Sequence, residues 1–415
     1  MNDLKEIRFA VVGCGGRGSG LTTSVLVNLE GVTVAGVCDL YTDKAEKLAD
    51  KILAETGARP AVYENYHTLF AELKPDAVLV SSSWENHVEV AVCAMEAGIP
   101  VAQEVSGAYC EGECRALIAA YEKTKTPFMF MENCCFNKDE LLATSLVRNG
   151  KFGEVVYCHG AYAHDLRDEV AYGDVNRHYR LRNYTMRNCD NYPTHELGPI
   201  ARLLNITRGN RMVSLTSRSS KAAGLHAYIQ KHSELASMKD RIFAQGDIVE
   251  TLISCENGEL ISLKLDTTLP RFYSREFSVR GTEGLYDQNA DMVLIDGEFK
   301  EGDFDTADIL YDNTHNARAF DAYLPAIWQN TDKELLERGH GGMDWFEFVA
   351  FVDALRAGEP MPIDVYDATA WMAITYLSAE SLAKGGAPVE IPDFTNGAYK
   401  TRKPADVVPL PHIDK

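Results

Sequence analysis

The sequence lacks the segments that would insert it into a membrane or export it. No apolar run approaches the ~18 residues that a membrane helix needs, and the polar segment Met1–Glu6 leads directly into a strand-like run. Positive charge is also scarce, because 41 Lys and Arg residues stand against 61 Asp and Glu residues, giving a net charge of −20. Such a field repels phosphate backbones and anionic lipids, so we expect neither a nucleic-acid partner nor a membrane partner.

The ten cysteines lack the spacing of a disulfide framework or a metal site. They are scattered and form no C-x-x-C pair, although Cys134 and Cys135 are adjacent and Cys110 and Cys114 lie four residues apart. In a chain of this length without an export signal, the pattern indicates reduced thiols. We therefore expect a cytoplasmic protein with no bound metal.

The 415 residues suffice for two to three domains, at roughly 150 residues per domain. In the first 150 residues, short β-branched or aromatic runs alternate with amphipathic stretches such as Tyr41–Thr56. This alternation predicts βαβ units and a parallel sheet. The predicted strands are Ile7–Val12, Val32–Cys38, Ala77–Ser81, Val101–Glu104 and Phe128–Met131.

The pattern changes after a helix predicted over Asn137–Arg148. Asn257–Gly258 is a strong hairpin signal between two apolar/polar alternating segments, and a helical insertion is predicted over Ala222–Gln245. These features indicate a largely antiparallel sheet with one open face. The predicted strands are Val155–Tyr162, Met212–Ser217, Ile248–Cys255, Leu260–Thr267 and Arg275–Arg280, and the last helices are Met343–Ala357 and Asp367–Lys384.

The predicted fold is therefore α/β. A Rossmann-type dinucleotide domain over residues 1–150 is followed by an α+β domain over residues 151–415 with a largely antiparallel, open-faced sheet. The second domain would serve substrate binding and oligomerisation, its C-terminal helices packing back on the first domain, and we expect a homo-oligomer.

A glycine-rich turn follows the first predicted strand. Gly13, Gly15 and Gly18 form a G-x-G-x-x-G that opens a helical pattern, the context in which the motif binds a pyrophosphate. Asp39 closes the second strand, where a carboxylate accepts from a ribose 2′-hydroxyl and repels a 2′-phosphate. The pattern predicts NAD as the cofactor; the alternative is a glycine turn in an unrelated α/β protein.

Two polar segments follow later strands of the predicted parallel sheet, Ser81–His87 and Glu104–Ser106. Ligands of open α/β sheets bind at the carboxyl ends of strands, so both segments are expected at the nicotinamide end. Without a ligand role, Trp84 would be a packed core aromatic, Glu85 a helix cap and His87 a solvated imidazole.

These motifs resemble the Gfo/Idh/MocA oxidoreductases, which join such a dinucleotide domain to an open-faced α+β domain. Most members carry Glu-Lys-Pro after the fifth strand, with the lysine as catalytic acid/base. This chain has Glu104-Val105-Ser106 there. The missing lysine argues against a plain sugar dehydrogenase.

The chain more closely resembles the NAD-dependent glycosidases of glycoside hydrolase family 109, typified by α-N-acetylgalactosaminidase. The similar motifs are Trp84-Glu85-Asn86-His87, Glu104-Val105, Tyr192-Pro193-Thr194-His195-Glu196-Leu197-Gly198-Pro199, Pro270-Arg271-Phe272-Tyr273-Ser274-Arg275 and His340-Gly341-Gly342-Met343-Asp344. Three positions depart from the family pattern: Asn86 replaces an aromatic, Glu196 a glycine and Phe272 a proline.

The resemblance implies the site residues by motif position. Dinucleotide contacts would be Gly16, Arg17, Asp39, Trp84, Glu85, His87, Glu104, Val105 and Asn133. Sugar contacts would be Tyr162, Arg180, Tyr192, Pro193, Thr194, His195 and Tyr273, of which Tyr192, His195 and Tyr273 would be catalytic.

The resemblance also implies a redox route to hydrolysis of a small-molecule glycoside. Oxidation at sugar C3 acidifies the C2 proton, elimination expels the C1 substituent, water adds, and the hydride returns. Because Pro193 keeps Tyr192 out of a helix interior, the Tyr192-to-His195 motif is expected at a helix start. For three of these residues a purely structural role stays open. His195 could bond a local carboxylate at the helix start, Tyr273 could be an ordinary aromatic residue of the sheet, and Arg180 could be an ordinary surface arginine.

Three functions are compatible with these observations. The first is an NAD-dependent glycosidase, acting on α-N-acetylgalactosaminides or related glycosides; the second is an NAD-dependent sugar dehydrogenase; the third is a non-catalytic dinucleotide sensor. Val105 in place of lysine favours the first over the second, and the grouped Tyr192, His195 and Tyr273 argue against the third. His340 either lines the same pocket or is a flexible loop residue.

Overall fold

The computed structural model describes residues 6–298, 315–329 and 331–413. These residues form two compact units, one of residues 6–136 and 331–369, the other of residues 137–298, 315–329 and 370–413. The division falls after Phe136, ahead of the boundary at residue 150 that the sequence suggests. The two boundaries differ in where they place the helix Lys138–Arg148. In the structure it belongs to the second unit, where it packs against the helix Thr194–Leu203.

The strands form two sheets. They are β1 (Ile7–Val12), β2 (Val32–Cys38), β3 (Ala61–Tyr63), β4 (Ala77–Val80), β5 (Val101–Glu104), β6 (Phe128–Met131), β7 (Val155–Ala163), β8 (Met212–Ser219), β9 (Ile248–Cys255), β10 (Leu260–Asp266), β11 (Ser278–Gly281), β12 (Gly284–Asp287), β13 (Met292–Ile295) and β14 (Val389–Glu390).

The α-helices of the described residues are α1 (Gly16–Ser24), α2 (Thr42–Thr56), α3 (Tyr66–Leu73), α4 (His87–Glu96), α5 (Glu111–Thr124), α6 (Lys138–Arg148), α7 (Arg167–Ala171), α8 (Gly173–Asn176), α9 (Arg180–Met186), α10 (Thr194–Leu203), α11 (Gly224–Gln230), α12 (Ala326–Gln329), α13 (Lys333–Leu336), α14 (Met343–Ala357) and α15 (Val365–Ala383).

The first sheet is parallel, in the order β3-β2-β1-β4-β5-β6. Strand order reverses between β1 and β4, which makes the carboxyl edge of these two strands the switch point where α/β sheets bind ligands. Strands β4 to β6 are buried along their whole length, as continuous apolar strands of a parallel sheet are. The predicted parallel dinucleotide-type sheet is confirmed.

The second sheet has the order β13-β12-β11-β7-β10-β9-β8-β14, and only β7 and β10 pair in parallel. In β9, buried and exposed residues alternate strictly from Val249 to Cys255, which leaves one face of that strand open. The hairpin predicted at Asn257–Gly258 joins β9 to β10, with Gly258 at φ +104°. The largely antiparallel, open-faced sheet is therefore confirmed.

One strand of this sheet is shorter than expected. The sequence predicts an extended segment over Arg275–Arg280, but β11 begins only at Ser278. Glu276 has φ +49°, a left-handed conformation that interrupts a strand, and its carboxylate binds Lys264 at 2.5 Å and Arg271 at 3.2 Å. The sequence analysis does not predict strands β3, β12 and β13, which have three or four residues each.

A close approach between a helix and a strand positions the second unit's site motif. A Cβ built on Gly160 of β7 would lie 2.8 Å from the Cβ of Glu196 in α10. Any side chain at residue 160 would therefore push α10 away from the sheet. The glycine lets the first turn of α10 lie directly over β7.

Neither a disulfide nor a membrane-spanning helix occurs among the described residues. All ten cysteines are free thiols, and only Cys93 and Cys110 are not buried. The helices of residues 6–298, 315–329 and 331–413 are each too short or too polar to cross a membrane.

The turn after β1 depends on two glycines. Gly13 has φ +102°, and a Cβ there would lie 2.4 Å from the backbone carbon of Ser81. A Cβ on Gly18 would lie 2.0 Å from the carbonyl oxygen of Gly13. Both clashes are with backbone atoms, so neither can be relieved by a side-chain rotation.

We expect Gly13→Ala to lower the stability of the first unit by about 2–4 kcal/mol, because it adds left-handed strain and a backbone clash. The matched change Gly20→Ala lies in α1 with no atom within 4 Å of the new Cβ, so it should be neutral or gain up to ~1 kcal/mol. Calorimetric unfolding of both variants checks this, and equal melting temperatures would contradict it.

Candidate functional site

The turn after β1 presents a bare helix N-terminus. Gly15 is the N-cap of α1 and offers no side chain to the first amides of the helix. A Cβ built on Gly15 or Gly16 would meet no atom within 4 Å, so the space beside these amides is open. Free N–H groups and the positive end of the helix dipole suit a pyrophosphate. The residues present therefore fit a dinucleotide.

Asp39 lies beside the same turn, directly after β2. Its Oδ2 accepts from the Cys14 N–H at 2.7 Å, and its Oδ1 accepts from the Tyr41 N–H at 2.8 Å. These two bonds fix the carboxylate, and each oxygen keeps a lone pair for a further donor. A half-buried, oriented carboxylate at this position suits ribose hydroxyls.

The loop after β4 is held by His87. Its Nδ1 lies 3.1 Å from the Ser106 carbonyl and its Nε2 lies 3.0 Å from the Ser82 carbonyl. His87 is 2% exposed, and burial lowers the pKa of its imidazole. It is therefore not a solvated imidazole: it ties the loop after β4 to the loop after β5.

Three other predicted cofactor residues lie at the same ends of β4 and β5. Trp84 is buried in a short 3-10 turn that precedes α4, and Glu85 follows it, half-buried. Val105 is 2% exposed. The tryptophan therefore packs as a core residue in addition to any contact with a ligand.

Arg17, in the first turn of α1, binds two carboxylates. Its Nε donates to Glu104 Oε1 at 3.0 Å, while Nη1 and Nη2 donate to the two Asp344 oxygens at 2.8 and 3.0 Å. The glycine-rich turn, the end of β5 and the start of α14 are thereby joined. Although burial raises it, the Arg17 charge and the His340 contact hold the pKa of Asp344 below its usual range.

Asn133 belongs to the same network. Its side-chain amide donates to Asp344 Oδ1 at 2.7 Å, and His340 Nδ1 lies 2.9 Å from Asp344 Oδ2. His340 is thus engaged in a polar contact and is not simply a loop residue. The structure brings Arg17, Glu104 and Asn133 together around Asp344.

An aromatic cluster forms the candidate sugar site of the second unit. The ring centroids of Tyr162 and Tyr192 are 4.5 Å apart, and the His195 ring lies 5.4 Å from Tyr162 and 4.8 Å from Tyr192. Tyr162 and Tyr192 are buried, and His195 is partly exposed. Two phenols and an imidazole within this distance can exchange protons with a bound ligand.

Arg180 packs against this cluster. Its guanidinium lies 5.0 Å from the Tyr192 ring centroid, a cation–π arrangement, and its Nε pairs with Glu169 at 2.9 Å. Arg180 is 8% exposed, so it is not an ordinary surface arginine.

Tyr273 joins the cluster through His164. The His164 ring is 5.1 Å from Tyr273 and 5.8 Å from Tyr162, and the Tyr162 hydroxyl lies 3.1 Å from His164 Nδ1. Burial, then the charge of Arg180, lowers the pKa of His164. The hydroxyl of Tyr273 accepts from Arg275 Nη1 at 3.3 Å, while its side chain is 46% exposed.

The start of α10 sets the geometry of the cluster. Pro193 is the N-cap at φ −74°, and α10 begins at Thr194, in agreement with a helix start at the Tyr192-to-His195 motif. Thr194 is fully buried, and no described residue bonds its hydroxyl. Tyr192 and His195 flank this start, so their side chains meet.

Sequence reasoning misses two participants. Asp344 is only the last residue of a similar motif, and nothing in the sequence indicates its four contacts. His164 is not singled out either, although residues two apart at a strand end share a face and Tyr162 is already a candidate.

Comparisons with known proteins agree with this geometry. Residues 7–130 match the family model of the oxidoreductase family with an NAD-binding Rossmann fold, and residues 136–401 match the C-terminal domain of glycosyl hydrolase 109. The solved scyllo-inositol dehydrogenase from Lactobacillus casei, with bound NAD(H) and scyllo-inositol, has a TM-score of 0.66 at 14% identity, covering 93% of this chain and 99% of that one. At that identity the likeness concerns the fold alone.

Curated relatives match along almost their whole length. The alpha-N-acetylgalactosaminidase of Tannerella forsythia is 36% identical, over 96% of this chain and 88% of the relative. The alpha-N-acetylgalactosaminidase of Shewanella oneidensis is 33% identical, over 98% of this chain and 88% of the relative. The chain therefore belongs to glycosyl hydrolase family 109 and is a glycosidase with an NAD-binding Rossmann domain.

Proposed function

We propose that the protein hydrolyses α-N-acetylgalactosaminides or closely related glycosides with NAD as a cofactor that is not consumed. The observation that carries the proposal is the contact of Tyr162, Tyr192 and His195, with ring centroids 4.5–5.4 Å apart. Such groups move protons in both directions. Relatives named as alpha-N-acetylgalactosaminidases support the sugar class.

The first unit would hold the dinucleotide. The amides at Gly15 and Gly16 would bind the pyrophosphate, and Asp39 would accept from the ribose hydroxyls. Trp84, Glu85, His87, Glu104, Val105 and Asn133 lie in or beside the loops after β4 to β6 and would line the nicotinamide end. When bound, NAD supplies a hydride acceptor that later becomes a hydride donor.

The second unit would carry out the proton transfers. Once sugar C3 is a ketone, a base takes the C2 proton, a C1–C2 double bond forms, and the C1–O bond breaks. The leaving oxygen takes up a proton, and water then adds its hydroxyl to C1 and its proton to C2. We assign removal of the C2 proton to His195 or Tyr192, and Tyr273 would act as a further proton donor. Arg180 and Thr194 would bind the sugar.

The sugar-dehydrogenase alternative lacks a group that it needs. The position of the usual lysine is Val105, which has no titratable atom and is 2% exposed. The deciding assay is incubation with aryl α-N-acetylgalactosaminide and a panel of other aryl glycosides, with phenol and NADH followed together. Phenol without NADH supports the proposal, whereas NADH in proportion to substrate would make the protein a dehydrogenase.

We expect NAD to bind more tightly than NADP, because the oriented Asp39 carboxylate opposes a 2′-phosphate. Asp39→Ser should narrow the difference, while Asp50→Asn, on the exposed face of α2, should leave it unchanged. Titration calorimetry of both dinucleotides with each variant measures this. Equal binding of NADP by the unaltered protein would overturn the role of Asp39.

We expect His195→Ala and Tyr192→Phe to lower turnover by ~10²-fold or more, the usual effect of losing an acid/base group. Bound NAD should be retained, since both residues belong to the second unit. Tyr157→Phe removes a phenol from the same strand as Tyr162, outside the cluster, and serves as the control. Turnover equal to the control in both variants would remove these residues from the mechanism.

We also expect hydrolysis in D₂O to place deuterium at C2 of the released sugar, because elimination breaks the C2–H bond and direct displacement does not. A 3-O-methyl or 3-deoxy glycoside should resist cleavage. NMR of the product detects the label, with product kept in D₂O without enzyme as the control. Unlabelled product together with cleavage of the 3-blocked glycoside would exclude the redox route.

A further inference from the structure

Four carboxylates are buried together at one end of the first unit's sheet. Glu104 ends β5, Glu132 follows β6, and Asp344 and Glu347 lie one turn apart in α14. Their exposed fractions are 5%, 0%, 1% and 0%. The first three all act electrostatically on the Glu347 carboxyl group. We call these four residues the carboxylate cluster.

One arginine faces the carboxylate cluster. Arg17 directs its guanidinium to Glu104 and Asp344, with contacts between 2.8 and 3.0 Å. His340 adds an exposed imidazole next to Asp344. The Arg17 guanidinium is thus shared by two carboxylates, and a further cation would be favoured here.

Glu347 is the least satisfied member. Neither of its carboxyl oxygens has a hydrogen-bond partner among the described residues, although the side chain is fully buried. Burial and the neighbouring carboxylates raise the pKa of Glu347 well above its usual range. A fully buried polar group without a partner costs free energy, so it indicates a missing neighbour.

The position of the cluster identifies that neighbour. The order reversal between β1 and β4 puts a ligand at the carboxyl ends of the strands. Asp39 follows β2 and suits ribose hydroxyls, so the adenosine half of the dinucleotide is expected on the β2 side of this point. Glu104 and Glu132 end strands on the opposite side, so they lie toward the nicotinamide half. The oxidised nicotinamide ring carries a positive charge, whereas the reduced ring is neutral.

We propose that two members of the carboxylate cluster, Glu104 and Asp344, are the counter-charge of the oxidised nicotinamide ring, so that the protein binds NAD⁺ more tightly than NADH. The inference rests on the proposed function for the identity of the cofactor. Its consequence is that reduced cofactor, once formed, is the less stable bound form. The hydride taken from the sugar therefore tends to return to it, and the resting protein holds NAD⁺.

The test compares dissociation constants of NAD⁺ and NADH without any glycoside. Glu104→Gln and Asp344→Asn each remove one negative charge at nearly constant shape and should lower the NAD⁺ preference about tenfold, the scale of one unit charge acting through a protein interior. Glu55→Gln, the same change on the exposed face of α2, is the control and should keep the ratio. The ratio of the two dissociation constants reports on the charge of the nicotinamide ring, because lost packing or hydrogen bonds would weaken the binding of NAD⁺ and NADH alike.

The outcomes separate the two proposals. A ratio unchanged in both variants, or shifted toward NAD⁺, overturns the counter-charge and leaves the glycosidase proposal standing. An unaltered protein that binds neither dinucleotide overturns the cofactor assignment itself. If one variant fails to fold, as judged by circular dichroism, the other still decides, since each removes a different carboxylate.

Discussion

The first unit depends on the ion pairs that the half-buried Arg17 makes with two buried carboxylates. Arg17 leaves the glycine-rich turn and bonds Glu104 and Asp344, which are 240 residues apart in the sequence. Removing Arg17 would leave these two buried carboxylates without their guanidinium partner, which costs free energy. Together with the Asn133–Asp344 bond, this side chain ties the segment 331–369 to a unit whose parallel sheet ends at Met131. The site at the carboxyl edge of the sheet is therefore built from segments far apart in the chain.

The sequence predicts the parallel sheet well because each of its signals is local. A buried strand, a glycine-rich turn and an amphipathic helix all appear within some thirty residues, and the sequence predicts α14 with the bounds that it has. Long-range partners leave no such signal. Nothing near Asp344 indicates that Arg17 and Asn133 will bond it, just as nothing near Glu276 indicates that it will pair with Lys264 of β10.

In the second unit, a strand and a helix start determine which predicted residues meet. Tyr162 comes from β7 and Tyr192 and His195 from the start of α10, and Gly160 allows the two elements to touch. The motif order predicts a helix start, but only the close approach explains why Tyr162 joins it. His164 follows from the same geometry, because it shares the strand face of Tyr162 and links that residue to Tyr273.

The replacement of lysine by Val105 changes what the rest of the site must do. A lysine there would supply an ammonium group able to move protons, whereas Val105 has no titratable atom. With an apolar Val105, the titratable side chains that remain for proton transfer in the proposed mechanism are the phenols and imidazoles of the second unit. If Glu104 and Asp344 are the counter-charge of the nicotinamide ring, they disfavour loss of its positive charge, which would suit a catalyst that must return its hydride. The proposed roles of the aromatic cluster and of the two carboxylates are thus both compatible with the absence of a lysine at residue 105.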